Sequence, residues 1–421
     1  MTQTDQKPGD QAARDPGRPA EGCAGRAPQG SATEVFATFL RLGLTSFGGP
    51  VAHLGYFRDE IVVRRGWLDD RAYGDLVALC QFLPGPASSQ VGFALGLMRA
   101  GWIGAFAAFV AFTLPSALLL LGFAMSVAQI PGGAGTDALH GLKIVAVAVV
   151  AQAVLGMGRS LCPDRARALI AVGAVAVLAL VPGPLGMIGA ITLGALAGLM
   201  VRHKPTGETA APAFHRQPVS GRGGALAFGV FLGLLLGLPL LADLSQEWAM
   251  ADAFYRSGAL VFGGGHVVLP LLDAEVVQTG WVSANQFLAG YGLTQAMPGP
   301  LFTFAGYLGA VSGSAPNGIA GAALALAAVF LPGFLLLMAA IPVWDRLRGR
   351  PPAQALMRGA NAAVVGILGA ALYDPVFTSA ITELRDLALA LACFIALVMW
   401  KVAPWIVVLG GAMGGIALGL I

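Results

Sequence analysis

The chain writes one stretch twice. Arg41-Leu-Gly-Leu-Thr-Ser-Phe-Gly-Gly-Pro50 returns as Arg256-Ser-Gly-Ala-Leu-Val-Phe-Gly-Gly-Gly265, with Arg41 on Arg256, Gly43 on Gly258 and Phe47-Gly48-Gly49 on Phe262-Gly263-Gly264, all at one constant spacing. Gly66-Trp67 returns as Gly280-Trp281, Gln81 as Gln295, and Pro84-Gly85-Pro86 as Pro298-Gly299-Pro300, at a spacing almost the same. Phe112-Thr-Leu-Pro115 answers Val329-Phe-Leu-Pro332 slightly further on. Spacings that drift so little mark a duplicated unit with small insertions. Whatever this chain folds into is built from two similar halves.

Each copy of the arginine–glycine stretch lies in an apolar segment, and composition says what kind of segment. Of 421 residues, 57% are hydrophobic and 11% charged, against about 25% charged in an ordinary soluble domain. That much apolar surface predicts an all-α polytopic membrane protein. The 59 glycines and 26 prolines exceed what anchoring needs. In lipid they are tolerated where neighbouring protein or a watery cavity satisfies the freed backbone. The formal charge of +3 gives no case for nucleic acid. Cys23, Cys80, Cys162 and Cys393 have no metal-ligand or disulfide spacing.

Residues 1–32 read as a disordered polar tail without a signal peptide's apolar core. About 13 apolar segments follow: 34–50, 75–98, 102–127, 140–157, 167–181, 184–201, 225–242, 251–270, 286–312, 316–342, 356–373, 386–400 and 402–421. The first repeat is placed at 33–201 and the second at 251–421. Between them, 202–250 holds a basic linker (Arg202, His203, Lys204, His215, Arg216, Arg222), cytoplasmic by the positive-inside tendency, and one unpaired transmembrane helix. That odd crossing predicts an inverted repeat. With every segment spanning, the arginine-bearing loop 56–74 falls outside and the acidic loop 271–285 inside. If the first two segments of each half are re-entrant, both loops change sides. Phe36 to Phe47 amounts to about 18 Å of helix, short of the ~30 Å core. Both readings stay open here.

Proline lacks an N–H and clashes with the preceding turn, so Pro84-Gly85-Pro86 and Pro298-Gly299-Pro300 must break their helices. The half-helix after each break turns its positive end toward any cavity there. Ser88, Ser89 and Gln90 are candidate donors after the first break, Thr303 after the second, with Gln295 before it. Gly48, Gly49 and Pro50, and Gly263, Gly264 and Gly265, are candidate backbone cradles for an anion; close helix packing is the alternative. Arg41 and Arg256 suit a tetrahedral oxyanion, unless they snorkel to the headgroups. His53 and His266 are candidate proton carriers. No metal-binding, nucleophile-elbow or P-loop motif is present. No enzyme activity, cofactor or metal is therefore expected, and transport would use a gradient.

Phe47-Gly-Gly-Pro-Val-Ala-His53, Leu83-Pro-Gly-Pro-Ala-Ser-Ser-Gln90, Phe262-Gly-Gly-Gly-His266 and Gln295-Ala-Met-Pro-Gly-Pro300 together resemble the chromate ion transporter family, in its long form with two fused halves. The resemblance covers residue 33 to the C-terminus. It implies a bacterial inner-membrane protein that exports chromate and confers resistance, with sulfate as competitor. The halves depart from each other at Gly265 for Pro50 and at Leu301-Phe302 for Ala87-Ser88, so one shared asymmetric site is expected. A sulfate importer and an anion channel are the alternatives. A homodimer is left open.

Overall fold

The computed structural model describes residues 30–127, 133–201, 218–262, 265–347 and 350–420. Most of the expected tail, Cys23, residues 202–217 of the linker, Gly263 and Gly264 lie outside the described residues. Among those described, every regular element is helical.

The first half runs through α1 (Ala32–Thr45), α2 (Gly49–Phe57), α3 (Asp70–Phe82), α4 (Ala87–Val127), α5 (Gly133–Leu161), α6 (Arg165–Leu180) and α7 (Pro184–Met200). Then comes α8 (Gly221–Leu241), which has no counterpart among the described residues. The second half takes the same course through α9 (Gln246–Ala259), α10 (Val268–Leu272), α11 (Ala284–Thr294), α12 (Phe304–Val311) and α13 (Gly318–Ala340). It continues through α14 (Trp344–Leu347), α15 (Pro351–Ala371), α16 (Thr378–Ala380), α17 (Leu384–Val398) and α18 (Pro404–Gly419). Where α12 and α13 are separate, α4 is one element bent at Ala100 and Gly101, whose dihedrals leave the helical region.

Local chemistry sets these boundaries in matched pairs. Asp69 caps α3 by accepting from the Ala72 amide at 2.8 Å. Ser283, at the matching position of the second half, caps α11 in a reciprocal box with Gln286. After α2, Arg58–Arg64 forms a π-helical turn, and Asp273–Val277 forms the matching one after α10. Such turns are uncommon and often mark functional ground.

Five helices among the described residues are long and apolar enough to cross a membrane: Ala87–Ser126, Gly135–Leu161, Gly221–Leu244, Gly318–Val343 and Pro351–Ala380. The expected segments at 34–50, 75–98 and 251–270 are instead cut into pieces of 3 to 14 residues or joined to a neighbour. The helix breakers that enrich the composition fall at these cuts.

The halves are interlocked. α5 packs on α17 and α18, and α15 packs in the matching way on α6 and α7. Each of these contacts joins an element of one half to elements of the other. Small residues allow the approach: a Cβ added to Gly359 would overlap the Gly194 carbonyl, and one on Gly141 would overlap that of Gly411. A polar clasp fixes α17. Asp386 is 5% exposed and accepts from the Thr382 amide and hydroxyl, both at 2.9 Å, and from the Glu383 amide at 3.1 Å. His140 Nε2 of α5 lies 2.9 Å from its other oxygen. Asp386→Ala removes a helix cap and strands several buried donors. We expect it to cost about 2–4 kcal/mol, read as lower thermal stability in detergent, with Asp386→Asn recovering part of the loss.

Candidate functional site

The four motif stretches meet at the middle of the molecule, each half gripping the other. The Gly85 amide donates to the Val261 carbonyl at 2.7 Å, and the Gly299 amide donates to the Ser46 carbonyl at 2.9 Å. The two bonds are the same contact written once per half, since Val261 and Ser46 occupy matching positions before the glycine breaks. Gly85 (φ +116°) and Gly299 (φ +96°) take backbone conformations that L side chains rarely adopt. Their proline neighbours remove competing amides. Gln90 Nε2 fastens the first break by donating to Pro84 O at 3.0 Å and to Gly333 O, in the other half, at 2.9 Å. The glycine breaks also face one another: a Cβ on Gly265 would stand 3.3 Å from Pro50, and one on Gly49 would stand 4.0 Å from His266 Nε2.

Around this junction opens a cavity of about 690 Å³. Gly48, Gly49, Pro50, Gln81, Gly85 and Ala87 line it from the first half, and Gly265, His266, Gln295, Gly299 and Leu301 from the second. Gln152, Ser160 and neighbours on α5 form one wall, and Asn361 on α15 another. Its size suits a small-molecule site. Among the described residues, no Asp, Glu, Lys or Arg lines it. Its polar groups are neutral: three glutamines, an asparagine, a serine and a histidine. Gln295 Nε2 and Asn361 Oδ1 are buried without a hydrogen-bond partner, which in a packed interior points to a ligand or water that completes them. His266 Nδ1 is engaged by the Tyr291 hydroxyl at 2.8 Å, which leaves Nε2 for the cavity.

Among the described residues, the other predicted site residues are not part of its lining. Pro84, Pro86, Pro298 and Pro300 shape the breaks. Ser88 and Ser89 are buried behind the wall, Ser88 Oγ being 3.4 Å from His53 Nδ1. His53 is buried edge-on against Phe112, with Nε2 unpartnered. Thr303 turns its hydroxyl back to Pro300 O at 2.7 Å. Arg41 is exposed on α1. Arg256 is held by two carboxylates, Asp252 at 2.8 Å and Glu275 at 2.9 Å. The guanidinium is engaged by these two carboxylates and is not in the lining of the cavity. The amides of Gly85 and Gly299 are likewise occupied by the other half.

Gln152, Asn361 and Ser160 escape the sequence reading, and Gln81 enters it only as a marker of the repeat. The signal for Gln152 and Asn361 is an uncharged amide inside an otherwise apolar segment, at 140–157 and 356–373.

Among solved structures no match was found. The chain is 30% identical to the chromate transport protein of Pseudomonas aeruginosa over 82% of each chain. It is 28% identical to an uncharacterized transporter of Methanocaldococcus jannaschii over 76% of this chain and 78% of that one. The chromate transport protein of Cupriavidus metallidurans is 28% identical over 95% of this chain and 96% of its own length. The family model described as chromate transporter matches twice, over residues 33–199 and 248–416, which are the two halves that share the cavity. A duplicated helical membrane protein with both copies of these motifs around one chamber, this chain belongs to the chromate transporter family.

Proposed function

We propose that the chain is a secondary transporter of the inner membrane that exports chromate from the cytoplasm and so confers resistance, coupled to the proton gradient. The observation that carries this reading is the single cavity built from the glycine breaks of both halves and closed by the two Pro-Gly-Pro breaks. In an inverted repeat, a site shared between the halves can face either side as one half rocks against the other. The short broken arms α1–α2 and α9–α10 act as re-entrant hairpins.

Neutral donors suit the task. A dianion moved across a membrane must bind well enough to leave water and weakly enough to be released. The side-chain amides of Gln81, Gln152, Gln295 and Asn361 and His266 Nε2 direct dipoles at it without the deep well that a buried arginine would make. The amide ends at Gly48–Gly49 and Ala87 add to them. Charge stands outside the cavity instead. Around the first hairpin Arg58, Arg64, Arg65 and Arg99 are paired with Asp70, Glu60 and Glu34, and the neighbouring Asp59, Asp69 and Arg71 keep that end near balance; around the second, Asp252, Asp273 and Glu275 outnumber Arg256. In the inverted arrangement the acidic mouth faces the periplasm and expels the dianion. The membrane potential helps: moving negative charge out of a negative interior gains about 2.3 kcal/mol per charge per 100 mV.

Everted membrane vesicles test the reading. With an imposed proton gradient they are expected to accumulate chromate, and an uncoupler or excess sulfate to suppress it. Sulfate uptake by right-side-out vesicles, with no chromate uptake by everted ones, would overturn both substrate and direction.

A further inference from the structure

In the second half two carboxylates share one guanidinium nitrogen. Arg256 Nη2 lies 2.8 Å from Asp252 Oδ2, one helical turn earlier on α9, and 2.9 Å from Glu275 Oε2 on the π-helical turn Asp273–Val277. The Asp252 and Glu275 side chains are only 6% and 13% exposed. Asp252 Oδ1 and Arg256 Nε have no hydrogen-bond partner. Two negative charges thus meet one positive charge, with a carboxylate oxygen left bare. Ionisable residues at such depth are costly and serve pathways and relays.

The first half shows that this is not merely what the fold requires. Glu60 is the counterpart of Glu275 in the duplication, and it is held by Arg64 at 2.6 Å and Arg65 at 2.8 Å. The position that matches Asp252 is Ala37. One hairpin therefore has a carboxylate with cations in excess, and the other has an extra carboxylate and too few cations.

We propose that Asp252 and Glu275, on Arg256, form the proton-binding site of this transporter, the proton taken up there being the one exchanged for chromate. The inference rests on the export reading above. With both carboxylates ionised, the cluster carries one net negative charge and ties α9 to the turn through Arg256. A proton on Asp252 Oδ1 makes the cluster neutral and leaves Arg256 to Glu275 alone. α9 leads to the glycine break in the cavity wall, and the turn ends the arm that returns from it, so loosening their outer ends alters how the wall is held. A crevice of about 10 Å³ reaches Arg256 and Glu275 between Met187 and Leu271, room for about one water.

Few other charges face the cluster. α7, α10, α11 and α13 carry no Asp, Glu, Lys, Arg or His. Arg222 is exposed at the start of α8, about 13 Å of helix from Phe231, whose carbonyl accepts the Tyr255 hydroxyl. Asp243 and Glu247 are exposed at the start of the α9 arm. Asp273 shares the turn, is buried, and feels the charge of Asp374.

The test uses purified full-length protein in liposomes, with chromate counterflow and chromate accumulation under a proton gradient measured side by side. A pH dye counts protons per chromate. Asp252→Asn keeps a hydrogen bond to Arg256 but cannot take the proton at that position. With the membrane potential held at zero by a potassium shunt, one proton per chromate lets a gradient of one pH unit sustain about tenfold accumulation. Wild type is expected to show it, and Asp252→Asn to keep counterflow while losing accumulation and proton movement. Should that variant not fold, Glu275→Gln is expected to do the same. Accumulation at the wild-type level in either variant overturns the site. Wild-type counterflow that ignores the gradient also overturns it, while export stands. Wild type without counterflow overturns the export reading and the site with it.

Discussion

Gly299→Val is expected to be among the most damaging single changes in the chain, lowering stability by about 3–5 kcal/mol. At φ +96° a side chain is strained, and one branched at Cβ more so. The added Cβ would stand 3.0 Å from Ser116 Oγ and 3.1 Å from the Phe112 carbonyl, both on α4 of the opposite half. It would also push the Gly299 amide away from Ser46, the bond that holds this break to the other half. Gly280→Val is the control. Gly280 has φ +78° but open space around it, so that variant suffers the strain without the crowding. Melting both in detergent separates the two effects, and equal losses would remove the interlock from the account.

The largest functional effect is expected from Gln81→Leu/Gln295→Leu, which removes two donors from the cavity. A hydrogen bond to a charged group is worth about 1.5–3 kcal/mol, so the double variant's KM for chromate should rise at least about a hundredfold. Stability should move the other way or not at all. Gln295 Nε2 is buried and unpartnered, and an apolar side chain of similar size ends that deficit. Loss of transport with unchanged or improved melting is the signature of a binding residue. An unchanged KM would show that the anion is held elsewhere. The same experiment on Arg256 would read differently, because removing that guanidinium leaves Asp252 and Glu275 facing each other and should destabilise the second hairpin.

The contrast between these residues marks how far the chain can be read on its own. The duplication, the helical class and the breaks at Pro84–Pro86 and Pro298–Pro300 are all legible. Each follows from short-range rules: a proline cannot continue a helix, and apolar runs of given length suit a membrane. The likeness to chromate transporters is legible for the same reason, being carried by the motifs at those breaks. Gly48, Gly49, Pro50, Gly85, Gly265, His266, Gln295 and Gly299 belong to those motifs, and they line the cavity.

Arg41 and Arg256 are different. An arginine in an apolar segment announces that it needs a partner, but not which one. For Arg256 the partners are Asp252, one turn away on the same helix, and Glu275, brought back by a hairpin whose direction no local pattern encodes. Gln152 and Asn361 are invisible as site residues because one polar amide in a helix can face a neighbour, lipid headgroups or a chamber, and only packing selects among them.

That this protein is two copies of one broken helical unit in a membrane needs no coordinates, because periodicity, breakers and duplication are properties of neighbours along the chain. That each half closes the other's break is a matter of tertiary packing. So is a chamber lined by neutral dipoles, with the charges paired outside it. Those outcomes depend on contacts between opposite halves of the chain, Gly85 with Val261 and Gly299 with Ser46. There the burial of one half against the other selects which polar groups are satisfied and which are left for a ligand.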